Sequence, residues 1–154
     1  MTVVLVATDG SDGGTAALKA AADKASTEGA ELVVLAVATR DLETGSASEE
    51  VGEYARAEHL KGGRAEGRGA VAEDILAEAK EIVGDRPGLT ASYVSRAGDA
   101  AEEILTCARE HSADVIYLGS RGLDALGAFF LGSVSRHVAG ASGCHVVIVP
   151  KDQR

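Results

Sequence analysis

"DVIYLGSRGLDALGAFFLGSVSRHV", residues 114–138, changes character twice along its length. Asp114 to Gly119 is a short, nearly continuous run of apolar and β-branched residues; a loop with glycine at 119, 122, 127 and 132 follows, and apolar residues at helical spacing end the stretch. A continuous apolar run of this length reads as a strand covered on both faces. Strand, glycine-rich loop and helix in that order form the repeating unit of a parallel sheet.

The same unit recurs on either side. "VVLVAT" (Val3 to Thr8), "ELVVLAVA" (Glu31 to Ala38), "LTASYVS" (Leu89 to Ser95), Asp114 to Gly119 and "HVVIV" (His145 to Val149) are five predicted strands, separated by Ala-rich helical patterns. The first helix, Gly13 to Glu28, offers Ala17, Leu18, Ala21 and Ala25, small side chains that permit close approach to a sheet. A second, "AVAEDILAEAKEIV", carries Val71, Ile75, Ala79 and Ile82 on one stripe. Asp99 with Glu102 three residues on is a capping-box pattern, and Ala101, Ile104, Leu105 and Ala108 then follow i, i+3, i+4, i+7. Pro87 and Gly88 mark the turn before the third strand. Residues 40–70 are polar and glycine-rich without sustained periodicity, and are expected to be a partly helical or flexible connection with a helical piece near Glu49 to Leu60. With no internal repeat, residues 1–154 read as one domain.

Bulk properties narrow the function. With 24 acidic against 15 basic residues the formal charge is −9, which repels a polyanion and argues against a nucleic-acid partner. A small anion would have to be held by backbone N–H groups, a helix N-terminus or a metal ion. Met1 leads directly into "VVLVAT", which predicts a chain without a signal peptide, and no apolar run is long enough to span a bilayer. A soluble cytoplasmic protein with no membrane partner is expected. Cys107 and Cys144 form no C-x-x-C pair and fit free thiols in a reducing compartment.

Two loops leave the carboxyl ends of strands and enter helices: "TDGSDGG" after the first and the glycine loop after the fourth. In an open parallel sheet, ligands bind beyond the carboxyl ends where strand order reverses. Gly119 and Gly122 would let the backbone approach a ligand closely or adopt positive φ. Gly132, Ser133 and Val134 would then aim backbone N–H groups, and Ser133 a hydroxyl, at an anion on the positive end of the following helix, with phosphate the natural candidate. Gly127 to Gly132 has the glycine spacing of a Walker A loop, but Ser133 stands where its lysine is required. No G-x-G-x-x-G follows the first strand. Blander readings stand beside these. "DGS" at Asp9 to Ser11 is often only a turn and a helix cap, and Ser133 can be an N-cap. Cys107 and His111 lack a second pair for a metal site, and His137 on the stripe of Val134, Val138 and Ala141 reads as a helix histidine rather than a base.

With "VVLVATDGS", "AGDAAEEIL", "DVIYLGSRGL", "LGSVSRHV" and "HVVIVP", the chain resembles the universal stress protein family over almost its whole length. Gly119, two residues, Gly122, nine residues, then Gly132 and Ser133 looks like the ATP-binding signature of the family's nucleotide-binding branch. The resemblance implies a single-domain α/β fold, Rossmann-like, whose open five-stranded parallel sheet has order 3-2-1-4-5 with helices on both faces. It also implies ATP or another adenine nucleotide as ligand, with Mg²⁺ in attendance. Asp9 would lie near the ribose or adenine with Ala7 beside it, the Val37 backbone would meet the base, and Leu118, Gly119, Gly122, Gly132, Ser133 and Val134 would complete the site. Ala36, Ala128 and Phe129 stand where relatives often carry a histidine and basic residues, and Asp124 adds a negative charge, so Arg121 alone is left to offset phosphate. Those departures imply modest triphosphate affinity and leave AMP or a cyclic nucleotide open.

The sequence thus reads as a cytoplasmic stress-response regulator that binds ATP and hydrolyses it slowly at most. The alternative is a homodimeric interaction module with a weak or vestigial pocket. The resemblance implies pairing through the last strand, and Val146 to Val149 is an apolar edge that needs covering, so a homodimer is expected there. An adenylyl transferase would need "HIGH"-like and "KMSKS"-like stretches that are missing, and no nucleophile with an adjacent base can be assembled.

Overall fold

The computed structural model describes residues 1–39, 68–120 and 132–150. Five parallel strands, β1 (Val3–Ala7), β2 (Glu31–Ala38), β3 (Thr90–Ala97), β4 (Val115–Gly119) and β5 (His145–Val149), form one sheet of order β3-β2-β1-β4-β5. Four helices accompany them among the described residues: α1 (Asp12–Glu28), α2 (Arg68–Val83), α3 (Ala100–Glu110) and α4 (Ser133–Ala141). The sheet order, the parallel pairing and all five strands agree with the sequence reading to within two residues at each end. The helical piece expected near Glu49 to Leu60 and the glycine loop over 121–131 lie outside the described residues.

Strand alternation explains why the central strands read as unbroken apolar runs. Val4 and Val6 of β1 face the layer of α1 and α2, where they meet Leu18, Ala21 and Ala25, while Leu5 between them faces Ile104, Leu105 and Val138 of α3 and α4. All three strand residues are fully buried, so neither face can carry a polar side chain. Ala17, Ala21 and Ala25 lie on one face of α1 and are fully buried, and their size lets the helix backbone sit close to the strands.

Helix ends are fixed by chemistry the sequence displays. Asp99 caps α3, its carboxylate accepting the Glu102 N–H at 3.0 Å. Gly29 ends α1 in the left-handed conformation, φ 64°, and its N–H bonds back to the helix. Edge strand β3 is tied to α3 by Arg96, which donates to Glu110 at 3.2 Å and lies 3.8 Å from Glu103.

Helix α4 departs from expectation. Only Ser135 and Val138 of it are buried; Val134, His137 and Ala141 are exposed, and the His137 imidazole lies 3.6 Å from the Glu102 carboxylate of α3. A helix of nine residues at the side of the sheet touches it with one turn's worth of side chains, so the apolar stripe predicted through His137 does not form. Both cysteines are free thiols, and burial pushes the Cys107 thiol up from its ordinary pKa.

Candidate functional site at the strand reversal

Sheet order places the reversal between β1 and β4. β1 pairs with β2 on one side, Ala7 opposite Leu35, and with β4 on the other, Val6 opposite Tyr117. The two loops singled out in the sequence therefore leave neighbouring carboxyl ends, the geometry in which open parallel sheets make a crevice.

The β1 loop is built by its own short side chains. Thr8 continues the sheet by donating its N–H to the Leu35 carbonyl at 2.9 Å, and its Oγ1 accepts the Gly10 N–H at 3.3 Å. Asp9 Oδ1 accepts the Ser11 N–H at 3.0 Å and also the Ser11 hydroxyl. Ser11 Oγ in turn accepts the Gly14 N–H at 3.2 Å and caps α1. The turn-and-cap reading of "DGS" is thus literally present, with Asp9 as the turn residue and Ser11 as the cap. No described residue donates to Asp9 Oδ2, which leaves that oxygen able to accept from a ligand.

Two glycines bring this loop against β4, and a third lets it fold on itself. A Cβ on Gly119 would stand 2.3 Å from the Gly13 carbonyl oxygen, one on Gly13 would stand 2.5 Å from the Ser120 carbonyl oxygen, and one on Gly14 would meet Asp9 Oδ1 at 2.8 Å and Thr8 Oγ1 at 2.9 Å. Gly119 does not take positive φ; the structure requires a glycine there because the first turn of α1 presses on the end of β4. Sequence reasoning offered a ligand as the reason and overlooked Gly13 and Gly14. The run of small residues in "DGSDGG" was the available signal.

The start of α4 is different in kind. Its N-cap is Gly132, buried, with φ −67° and ψ 163°, and no side chain caps it. Ser133, offered as an N-cap by the sequence, is instead the first helical residue, and both it and Val134 are exposed. Ser135, missed in the sequence, is buried and donates its hydroxyl to the Gly119 carbonyl at 3.4 Å, which seats the first turn of α4 beside the end of β4. Of the remaining predicted residues, Leu118 is buried in β4, Ala7 and Val37 are half-buried near the ends of β1 and β2, and Arg121 and Gly122 lie outside the described residues. Backbone N–H groups, an exposed hydroxyl and no side chain at the cap form a donor set suited to anionic oxygen.

The Universal stress protein family model matches residues 1–150. The chain belongs to the universal stress protein family. Universal stress protein YxiE of Bacillus subtilis is 38% identical over 157 aligned positions, covering 95% of this chain and 97% of the relative. Among solved structures, a universal stress protein in complex with cAMP superposes with a TM-score of 0.69 at 23% identity, covering 98% of each chain. A universal stress protein family member from Arabidopsis thaliana with AMP bound superposes with a TM-score of 0.65 at 20% identity, covering 99% of this chain and 94% of the other. At those identities the likeness is one of fold, and it extends over nearly the whole of each chain.

Proposed function

We propose that this universal stress protein binds an adenine nucleotide, ATP foremost, across the carboxyl ends of β1 and β4, and acts in the cytoplasm as a nucleotide-dependent regulator. The observation that carries the reading is the contrast between helix starts. α1 and α3 are capped by Ser11 and Asp99, whereas α4 opens on Gly132 with no side-chain cap, beside the strand reversal. Phosphate oxygens there would accept from the N–H groups of the first turn and from the Ser133 hydroxyl, on the positive end of the helix dipole. Asp9 and the Val37 backbone, on the β1 and β2 side, would receive the nucleoside. Solved relatives holding cAMP and AMP support an adenine nucleotide as the ligand class.

Turnover should be slow. Asp9 is the one carboxylate among the described site residues, and its Oδ1 is already committed to Ser11. Phosphoryl transfer needs a positioned water and charge stabilisation at the departing phosphate. Any Mg²⁺ would be held chiefly by the phosphates of the nucleotide, as is usual for that ion. A turnover on the order of 10 per second, the median for enzymes, would contradict this reading.

The reading includes a homodimer. β5 is an edge strand whose Val147 is 37% exposed, and an apolar edge invites pairing with a second copy through Val146 to Val149. Light scattering should report twice the chain mass. The nucleotide itself is tested by denaturing the purified protein and weighing what is released: adenine nucleotide supports the proposal, and a chain that releases none and binds none on titration would be an interaction module with a vestigial pocket.

A further inference from the structure

We infer that Ser11 is a positioning residue for the nucleoside end of this site: it holds the Asp9 carboxylate in the orientation that meets the ligand, over and above capping α1. The inference rests on the nucleotide reading above. Besides accepting the Thr15 N–H on its carbonyl at 2.8 Å, Ser11 makes three hydrogen bonds at this turn. Its N–H and its hydroxyl both donate to Asp9 Oδ1, and its oxygen accepts the Gly14 N–H at 3.2 Å. An ordinary N-cap needs only the last of these. The other two fasten one carboxylate oxygen from two directions, which fixes the plane of the Asp9 side chain and leaves Oδ2 as the oxygen that can accept from a hydroxyl or amino group of a ligand.

The surroundings are shaped to keep that arrangement. A Cβ at Gly14 would come within 2.8 Å of Asp9 Oδ1 and 2.9 Å of Thr8 Oγ1, so only glycine leaves room for the carboxylate to fold over the first turn of α1. Thr8 Oγ1 holds the Gly10 N–H at 3.3 Å and so secures the backbone between Asp9 and Ser11. Gly10 takes φ 83°, a left-handed conformation that the tight return of the chain requires. Ser11 is thus the joint at which helix cap and ligand carboxylate meet, and the two roles can be separated by substitution.

Ser11→Asp keeps an oxygen to accept the Gly14 N–H, since aspartate caps helices as well as serine does. It has no proton to donate to Asp9 at neutral pH and sets a like charge beside it. Ser11→Thr keeps the cap and the donor. Adenosine is the probe, because it carries no phosphate that the new charge could repel. Calorimetric titration should show Ser11→Asp binding adenosine about tenfold or more weakly than wild type, the scale of a lost hydrogen bond to a charged group. Its melting temperature should fall by a few degrees, because the bond to Asp9 is lost and a like charge added, so affinities are compared well below it; Ser11→Thr should restore both wild-type affinity and wild-type melting. Equal adenosine affinity in wild type and Ser11→Asp would overturn the positioning role while leaving nucleotide binding intact. A wild type that binds neither adenosine nor ATP would overturn the nucleotide reading and this inference with it.

Discussion

Helices α1 and α4 begin beside neighbouring strand ends, and they begin in opposite ways. The start of α1 is closed from within: Ser11 caps it, Asp9 braces Ser11, Gly14 leaves room for the Asp9 carboxylate, and Gly13 lets the helix press against Gly119 and Ser120. The start of α4 has a glycine at the cap and, among the described residues, no side chain that serves its N–H groups, although the Ser135 hydroxyl ties it to the Gly119 carbonyl. A helix start satisfied by its own residues is a wall. One that is anchored but not capped is suited to a ligand, because its orphan donors still need acceptors.

The largest effect should come from breaking the wall. Gly119→Ala puts a Cβ 2.3 Å from the Gly13 carbonyl oxygen, where only backbone could move, so α1 must shift off β4. Overpacking of this kind costs roughly 1–3 kcal/mol or more. Denaturant unfolding should show that loss; an unchanged midpoint would mean the loop yields freely and the contrast with α4 is overstated.

Ser133→Ala sharpens the other side. It removes an exposed hydroxyl but keeps every N–H of the first turn, so stability should be unchanged while ATP affinity falls by roughly ten- to a hundredfold, the worth of a hydrogen bond to a charged group. Adenosine, which lacks phosphate, should bind equally well before and after.

Ser11→Ala removes the cap of α1, and unfolding measurements should register a loss of about 0.5–2 kcal/mol. Gly132→Ala should cost less than Ser11→Ala, because α4 has no side-chain cap bond to lose and gives up only the preference for glycine over alanine at an N-cap.

Smallest of all should be Glu110→Gln, far from either helix start. The Arg96 guanidinium, chiefly through its hydrogen bond, holds the exposed Glu110 carboxyl below its ordinary pKa. A carboxylate with a lowered folded-state pKa contributes stability above its unfolded value and loses it as pH falls through the folded one. Wild type and Glu110→Gln should therefore differ slightly at neutral pH and converge in acid, and a gap that widens in acid would contradict the pairing.

Much of the fold was legible because burial on both faces leaves a plain mark. β1, β2 and β4 must be apolar at consecutive positions, and small side chains at Ala17, Ala21 and Ala25 announce a helix lying close on a sheet. Asp99 was legible as a cap because the aspartate and its Glu102 partner sit at fixed spacing. The site was harder. The importance of Gly119 showed in its spacing from Gly132, but the reason did not, since the clash it avoids is with Gly13, which is remote in sequence. Ser133 was read one position too far toward the cap because a serine before an apolar run is the commonest cap, and nothing local says that Gly132 takes that place. His137 was misplaced because helical spacing shows a stripe without showing how short the contact with the sheet is. Ser135 was hidden for a related reason, since its hydroxyl reaches the Gly119 carbonyl sixteen residues away; Ser11 is a local partner of Asp9, two residues off, but a serine there shows its capping role and not the bonds it returns to the carboxylate.

The central claim, that the uncapped start of α4 receives the phosphates of an adenine nucleotide, is tested most directly by titrating ATP and adenosine calorimetrically into wild type and Gly132→Val. Valine adopts the φ −67° and ψ 163° of that position, so the circular-dichroism spectrum should remain close to wild type. Its branched side chain stands where phosphate would touch backbone, so ATP binding should be abolished while adenosine binding persists. Equal ATP affinity in the two proteins would contradict the account and make the glycine at 132 a matter of packing alone.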